Sequence, residues 1–85
     1  VEAMVDGAKA LGLSDADATT LTVQTIVGAA KLLDESGKSA TTLRENVTSP
    51  NGTTAAALAS FESHQLGDVV AQAMKAARDR SQELA

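Results

Sequence analysis

The densest group of chemistry-bearing side chains is the run Thr48-Ser49-Pro50-Asn51-Gly52-Thr53-Thr54. It sets four hydroxyls around a Pro-Asn-Gly turn, directly before an alanine-rich stretch. Two readings fit these residue types. One is a polar turn between helices, with a hydroxyl capping the helix that follows. The other is a seat for a carboxylate or phosphate. Glycine lets the backbone approach a ligand closely, and the first turn of a helix aims free N–H groups and positive dipole at the turn. Ser49, Thr53 and Thr54 are then placed to orient a small polar ligand. The run holds no strong base, activated nucleophile or metal ligand. Such a site would position a substrate while another component does the chemistry, and hydride transfer from a bound nicotinamide suits that division of labour.

Other constellations are weaker. His64 is the only histidine, and no H-x-x-x-H or EF-hand spacing accompanies it, so it reads as a solvated residue near a helix end and no metal site is expected. Ser49 has no nucleophile-elbow sequence around it. Asp34, Glu35 and Glu62 read as solvated helix faces rather than an acid–base pair, and Met4 and Met74 as core filler. There is no cysteine, hence no disulfide or thiolate site. The net charge of −4 argues against a nucleic-acid surface; only Lys75, Arg78 and Arg80 cluster. No apolar run approaches the roughly 20 residues that span a bilayer. No membrane association is expected, and a soluble cytoplasmic protein fits best.

The elements that must position the loop read as helices. Val1, Met4, Val5, Ala8 and Leu11 share one stripe of a first helix, with Gly12 placed as its C-terminal glycine. Ser14 caps a second helix, whose first turn carries Asp15 and Asp17, and Gly37 ends it. Leu21, Thr25, Gly28, Ala29 and Leu32 are expected to face inward, while Thr22, Val23, Ile26, Val27, Ala30 and Leu33 widen that stripe. A helix apolar on most sides is buried on most sides, which in so short a chain points to a partner. Ser39 caps a short third helix to about Asn46. Pro50 and Asn51-Gly52 then break the chain, a fourth helix runs from near Thr53 to about His64, and a fifth from about Gly67 to Leu84. No strand pattern is present, so the fold class is all-α with about five helices. The 85 residues contain one Phe, no Trp and no Tyr, so Ala, Val and Leu carry the burial and the domain is marginal alone. Val1-Glu2-Ala3-Met4-Val5 opens in mid-helical pattern, so the chain reads as cut from a longer one.

Val47-Thr48-Ser49-Pro50-Asn51-Gly52-Thr53-Thr54 resembles the V-T-S-P-G-G-T-T signature of pyrroline-5-carboxylate reductase. The resemblance extends over essentially the whole chain. Gln24-Thr25 through Gly28-Ala29-Ala30-Lys31-Leu32-Leu33, then Glu35-Ser36-Gly37-Lys38, is similar to the family's long helix and its end. Leu43-Arg44-Glu45 and the closing Ala77-Arg78-Asp79-Arg80-Ser81-Gln82-Glu83-Leu84 match further segments. Asn51 stands where the family has the first of two glycines; Asn tolerates positive φ, so the turn survives. His64-Gln65 replaces a frequent Gly-Gly, and Ala40 a frequent Pro.

The resemblance implies that residues 1–85 are a C-terminal dimerisation and substrate-binding domain. Its helices would interleave with a second copy into a homodimer, with assembly of dimers into a higher oligomer left open. The N-terminal Rossmann domain would lie outside the chain and bind NADP or NAD, a choice these residues do not make. The implied reaction is hydride transfer to 1-pyrroline-5-carboxylate, giving L-proline. The N–H groups of Gly52, Thr53 and Thr54, with Ser49, would hold the substrate carboxylate. Thr54 would stand near the ring nitrogen as the catalytic hydroxyl, and Val47 would border the ring. These 85 residues alone would then be inactive. The competing reading is a stand-alone helical association module whose loop is only a turn.

Overall fold

The computed structural model describes all residues, 1–85, and contains five helices and no strand. They are α1 (Glu2–Ala10), α2 (Asp15–Ser36), α3 (Ala40–Asn46), α4 (Thr53–Ser63) and α5 (Leu66–Leu84). The sequence reads as one domain; within a single chain, two compact units form, Val1–Leu43 and Arg44–Ala85.

In the first unit, α1 turns back onto α2 through a glycine-terminated cap. Leu13 N–H donates to the Ala8 carbonyl at 3.1 Å and Gly12 N–H to Lys9 at 3.0 Å, with Gly12 at φ 109°. This paired pattern satisfies carbonyls that a helix end leaves open, and the positive φ is why a glycine sits there. One residue later Ser14 starts α2, its Oγ accepting from Asp17 N–H at 3.1 Å. Gly37 ends α2 in the left-handed region at φ 70°. Ser39 starts α3 by the same device as Ser14, accepting from Thr42 N–H at 3.1 Å.

Burial departs from the expected pattern. Only Ala18 and Thr22 are buried, one turn apart near the start of α2 where α1 folds back. The stripe expected to face inward is open in the single chain: Leu21 is 55% exposed and Leu32 51%, and Thr25, Gly28 and Ala29 are exposed as well. Thr25 turns its hydroxyl back onto the Leu21 carbonyl at 2.7 Å. The physical reason is a lack of neighbours: α1 is short and covers only small side chains at one end of α2. Val23, Ile26, Val27 and Leu33 also remain 40–54% exposed.

In the second unit, α4 and α5 meet at a sharp corner. His64 Nδ1 lies 2.9 Å from the Ser60 carbonyl, and Gln65 takes a left-handed conformation at φ 58° before α5 begins. The α5 start lies one residue ahead of the expected Gly67. The clustered bases of α5 each hold an acid. Lys75 Nζ lies 2.8 Å from Asp79 Oδ2, Arg78 2.9 Å from Asp79 Oδ1, and Arg80 2.9 Å from Glu83 Oε2. The Lys75 ammonium, and then the Arg78 guanidinium, hold the Asp79 carboxyl below its ordinary value. That contribution is present above the unfolded carboxyl's pKa and lost as pH falls through the lowered one; on an exposed helix face it is small.

One non-glycine and one glycine left-handed position, Gln65 and Gly37, give a paired test. A non-glycine residue there costs about 1–2 kcal/mol, which glycine avoids. Gln65→Gly in the full-length protein is expected to raise the unfolding free energy by about 1 kcal/mol, and Gly37→Ala to lower it by about 1–2 kcal/mol. Urea denaturation at fixed protein concentration reads both, and shifts of the opposite sign would contradict the assigned backbone.

Candidate functional site

The loop between α3 and α4 lies within the second unit. Thr48 closes α3 behind it: its hydroxyl donates to the Arg44 carbonyl, and its N–H to Glu45 at 3.2 Å. One of the four hydroxyls is therefore structural. Pro50 then biases Ser49 away from helix, and the chain reverses over Ser49-Pro50-Asn51-Gly52. Gly52 N–H donates to the Ser49 carbonyl at 3.0 Å, closing the turn. Asn51 holds the third position at φ 60°. A type II turn requires positive φ there and accepts Asn after Gly in preference. Asn51 thus takes a conformation for which glycine is the commoner residue.

Gly52 has a different role from the one its type suggests. Its φ of −84° and ψ of 179° are open to any residue. What requires glycine is clearance, because a Cβ there would lie 3.1 Å from the Ser49 carbonyl oxygen. Its N–H, expected among the ligand donors, is engaged inside the turn.

The helix start that follows is unlike the other two polar starts. Ser14 caps α2 and Ser39 caps α3, whereas Gly52 occupies the cap position of α4 and no side chain caps it. The first bond of α4 runs from Ala56 N–H to the Gly52 carbonyl at 3.1 Å. The N–H groups of Thr53, Thr54 and Ala55 are left without a partner in the chain. The hydroxyls of Ser49, Thr53 and Thr54 have none either. Thr54 and Gly52 are half-buried, Ser49 and Thr53 exposed, and Val47 borders the loop at 60% exposure. From Ser49 to Ser60 no residue is charged, so nothing opposes the positive end of the helix dipole.

This arrangement favours an anion. Hydrogen bonds from N–H groups to a charged acceptor contribute about 1.5–3 kcal/mol each, and the dipole adds about 0.3–1 kcal/mol. Ala55 is a donor that residue types alone do not reveal, since only the helix start at Thr53 makes its N–H free. Elsewhere, no three His, Asp or Glu side chains converge as metal ligands would. A shallow hollow at the α4–α5 corner, lined by Phe61, Glu62, Gln65, Leu66, Gly67 and Asp68, lies at the opposite end of α4 from the loop.

The family described as pyrroline-5-carboxylate reductase dimerisation matches residues 1–84. The chain is 47% identical over 85 residues to pyrroline-5-carboxylate reductase of Pseudomonas aeruginosa, covering 100% of this chain and 31% of that protein. It is 44% identical over 73 residues to pyrroline-5-carboxylate reductase 1 of Bacillus subtilis, covering 86% and 25%. The Arabidopsis thaliana reductase is 39% identical over 84 residues, covering 99% and 30%. A crystal structure of Plasmodium falciparum pyrroline carboxylate reductase with NADP bound superposes with a TM-score of 0.91 at 32% identity, covering 94% of this chain and 32% of that one. The chain thus spans about a third or less of the length of these relatives.

Gly52→Ala tests the loop geometry without reference to any ligand. The added Cβ would press on the Ser49 carbonyl oxygen at 3.1 Å, shifting it by a few tenths of an ångström and weakening the 3.0 Å turn bond. Amide hydrogen exchange at residue 52 is expected to speed up by about 10-fold, the equivalent of about 1.4 kcal/mol of lost protection. Unchanged exchange would mean that the turn does not need glycine.

Proposed function

The chain belongs to the pyrroline-5-carboxylate reductase family, and from that membership we propose that its α3–α4 loop holds the substrate of the full-length reductase. The carrying observation is the uncapped start of α4, with three free N–H groups beside three unpartnered hydroxyls. A cap reading would have one of those hydroxyls on the helix, as Ser14 and Ser39 are on theirs. The free donors suit the carboxylate of 1-pyrroline-5-carboxylate.

In this reading the N–H groups of Thr53, Thr54 and Ala55 bind the carboxylate, and the Ser49 hydroxyl adds a fourth donor. Gly52 contributes clearance rather than a hydrogen bond, and Val47 sets one wall of the ring pocket. The Thr54 hydroxyl, on the first turn of α4, holds the ring nitrogen and steadies the proton that it carries when the C=N bond is reduced. No residue here is a competent base, so the loop's contribution is orientation and hydrogen bonding.

These residues do not fit a dinucleotide. There is no strand and no G-x-G-x-x-G turn in the 85 residues. The nicotinamide that supplies hydride, whether of NADP or NAD, belongs to a part of the protein outside them. The product would be L-proline, at the last step of its biosynthesis. The partner is a second copy of the chain, as the family's description indicates. Leu21, Val23, Ile26, Val27, Leu32 and Leu33 of α2 are 40–55% exposed, and covering each contributes about 1 kcal/mol.

Thr54→Ala in the full-length reductase is expected to lower kcat/KM by about 10- to 100-fold, on the order of 1–3 kcal/mol, with dimer stability unchanged. Undiminished turnover would remove Thr54 from the site. Ile26→Asp is expected to weaken association by at least about 10-fold in sedimentation analysis, since a half-buried isobutyl-sized contact is replaced by a charge. An intact dimer in that variant would place the interface elsewhere. The 85 residues alone are expected to show no pyrroline-dependent oxidation of a reduced nicotinamide, and any such activity would contradict the division of roles.

A further inference from the structure

Asn51 and Gly52 carry a reactivity that substrate binding does not use. An asparagine closes to a succinimide when its side-chain amide is free, the next residue lacks a screening side chain, and the next backbone nitrogen can reach Cγ. Asn51 is exposed, and no hydrogen bond in the chain holds its side chain. Gly52 has no Cβ to screen its nitrogen. The third condition is restrained by one contact, the 3.0 Å bond from Gly52 N–H to the Ser49 carbonyl. That turn lies between helices, and such segments open locally far more readily than helix interiors. Asn46 is the internal contrast: it ends α3 and precedes β-branched Val47.

We propose that Asn51 is a site of spontaneous deamidation, and that its conversion disables the anion seat of α4. The Gly52 nitrogen gives its proton to a base in solvent and attacks Cγ of Asn51. The N–Cγ bond forms, the Cγ–Nδ2 bond breaks, and ammonia leaves. Water then opens the ring. Addition at Cγ gives an aspartyl residue; addition at the main-chain carbonyl gives an isoaspartyl link, in which Gly52 follows through the side chain. No oxidant or reductant takes part. The succinimide abolishes the Gly52 N–H, so the turn bond to Ser49 is lost. Either product places a carboxylate just ahead of Thr53, where it competes for the free N–H groups of α4. This second consequence rests on the substrate reading given above.

The test incubates the full-length protein in mildly alkaline buffer, then digests it and quantifies each asparagine peptide. A gain of about one mass unit with an isoaspartyl product is expected at Asn51, at least about 10-fold faster than at Asn46. The Asn51→Gly variant cannot convert at this position, so its turnover should not decay over the incubation. Conversion at Asn51 no faster than at Asn46, or with no isoaspartyl product, overturns the modification site. Reductase activity is followed in parallel, and its loss should track conversion. Full conversion with turnover intact would leave the modification standing and overturn the disabled seat, while the Thr54→Ala measurement decides the substrate reading separately. Asn51→Asp supplies a second measurement: KM for the carboxylate substrate should rise, and an unchanged KM counts against the disabled seat.

Discussion

The hydrogen bond from Gly52 N–H to the Ser49 carbonyl, at 3.0 Å, sets the geometry on which the site depends. It closes a turn that needs positive φ at Asn51 and an absent side chain at residue 52. With glycine at the cap position, α4 starts with nothing on its first donors. Three hydroxyls flank the turn without capping those donors, although such residues favour caps. An anion resolves both deficits at once. In the proposed reading, the loop is half of a hydrogen-bonding arrangement and the substrate carboxylate is the other half.

A second deficit runs through the helices. A 22-residue α2 that buries only Ala18 and Thr22 gains little from its own chain, because small side chains remove little apolar area from water. Its large side chains, from Leu21 to Leu33, are half-open, and Val69, Val70 and Met74 of α5 are 48–69% exposed. Side chains of this kind are costly to leave in water and ready to be covered by an identical chain. The same economy of aromatic residues that makes the single chain marginal suits helices that approach another copy closely.

Much of the architecture was legible in the sequence because caps are local chemistry. Ser14, Ser39, Gly12 and Gly37 act where their types place them, and Pro50 with Asn51-Gly52 breaks the chain as expected. Positive φ at Asn51 follows from its type as well. What could not be read depends on neighbours. The inward stripe of α2 was assigned by periodicity, which reports apolarity and not what covers it. Its type marks Gly52 as a residue of close backbone approach and a donor, whereas its clearance against Ser49 and its engaged N–H emerge only from the folded turn. The free N–H of Ala55 has no side-chain signature at all. Gln65 at φ 58° was likewise hidden, since glutamine has no preference for that region.

The most direct test of the central claim is a proton–nitrogen NMR titration, or a crystal structure, of the full-length protein with L-proline. The account predicts that the amide signals of Thr53, Thr54 and Ala55 move together on binding, with carboxylate oxygens at hydrogen-bonding distance, about 2.7–3.1 Å, from those nitrogens. The Gly52 amide should keep its bond to Ser49. A carboxylate bound elsewhere, with the α4 amides unmoved, would contradict the account.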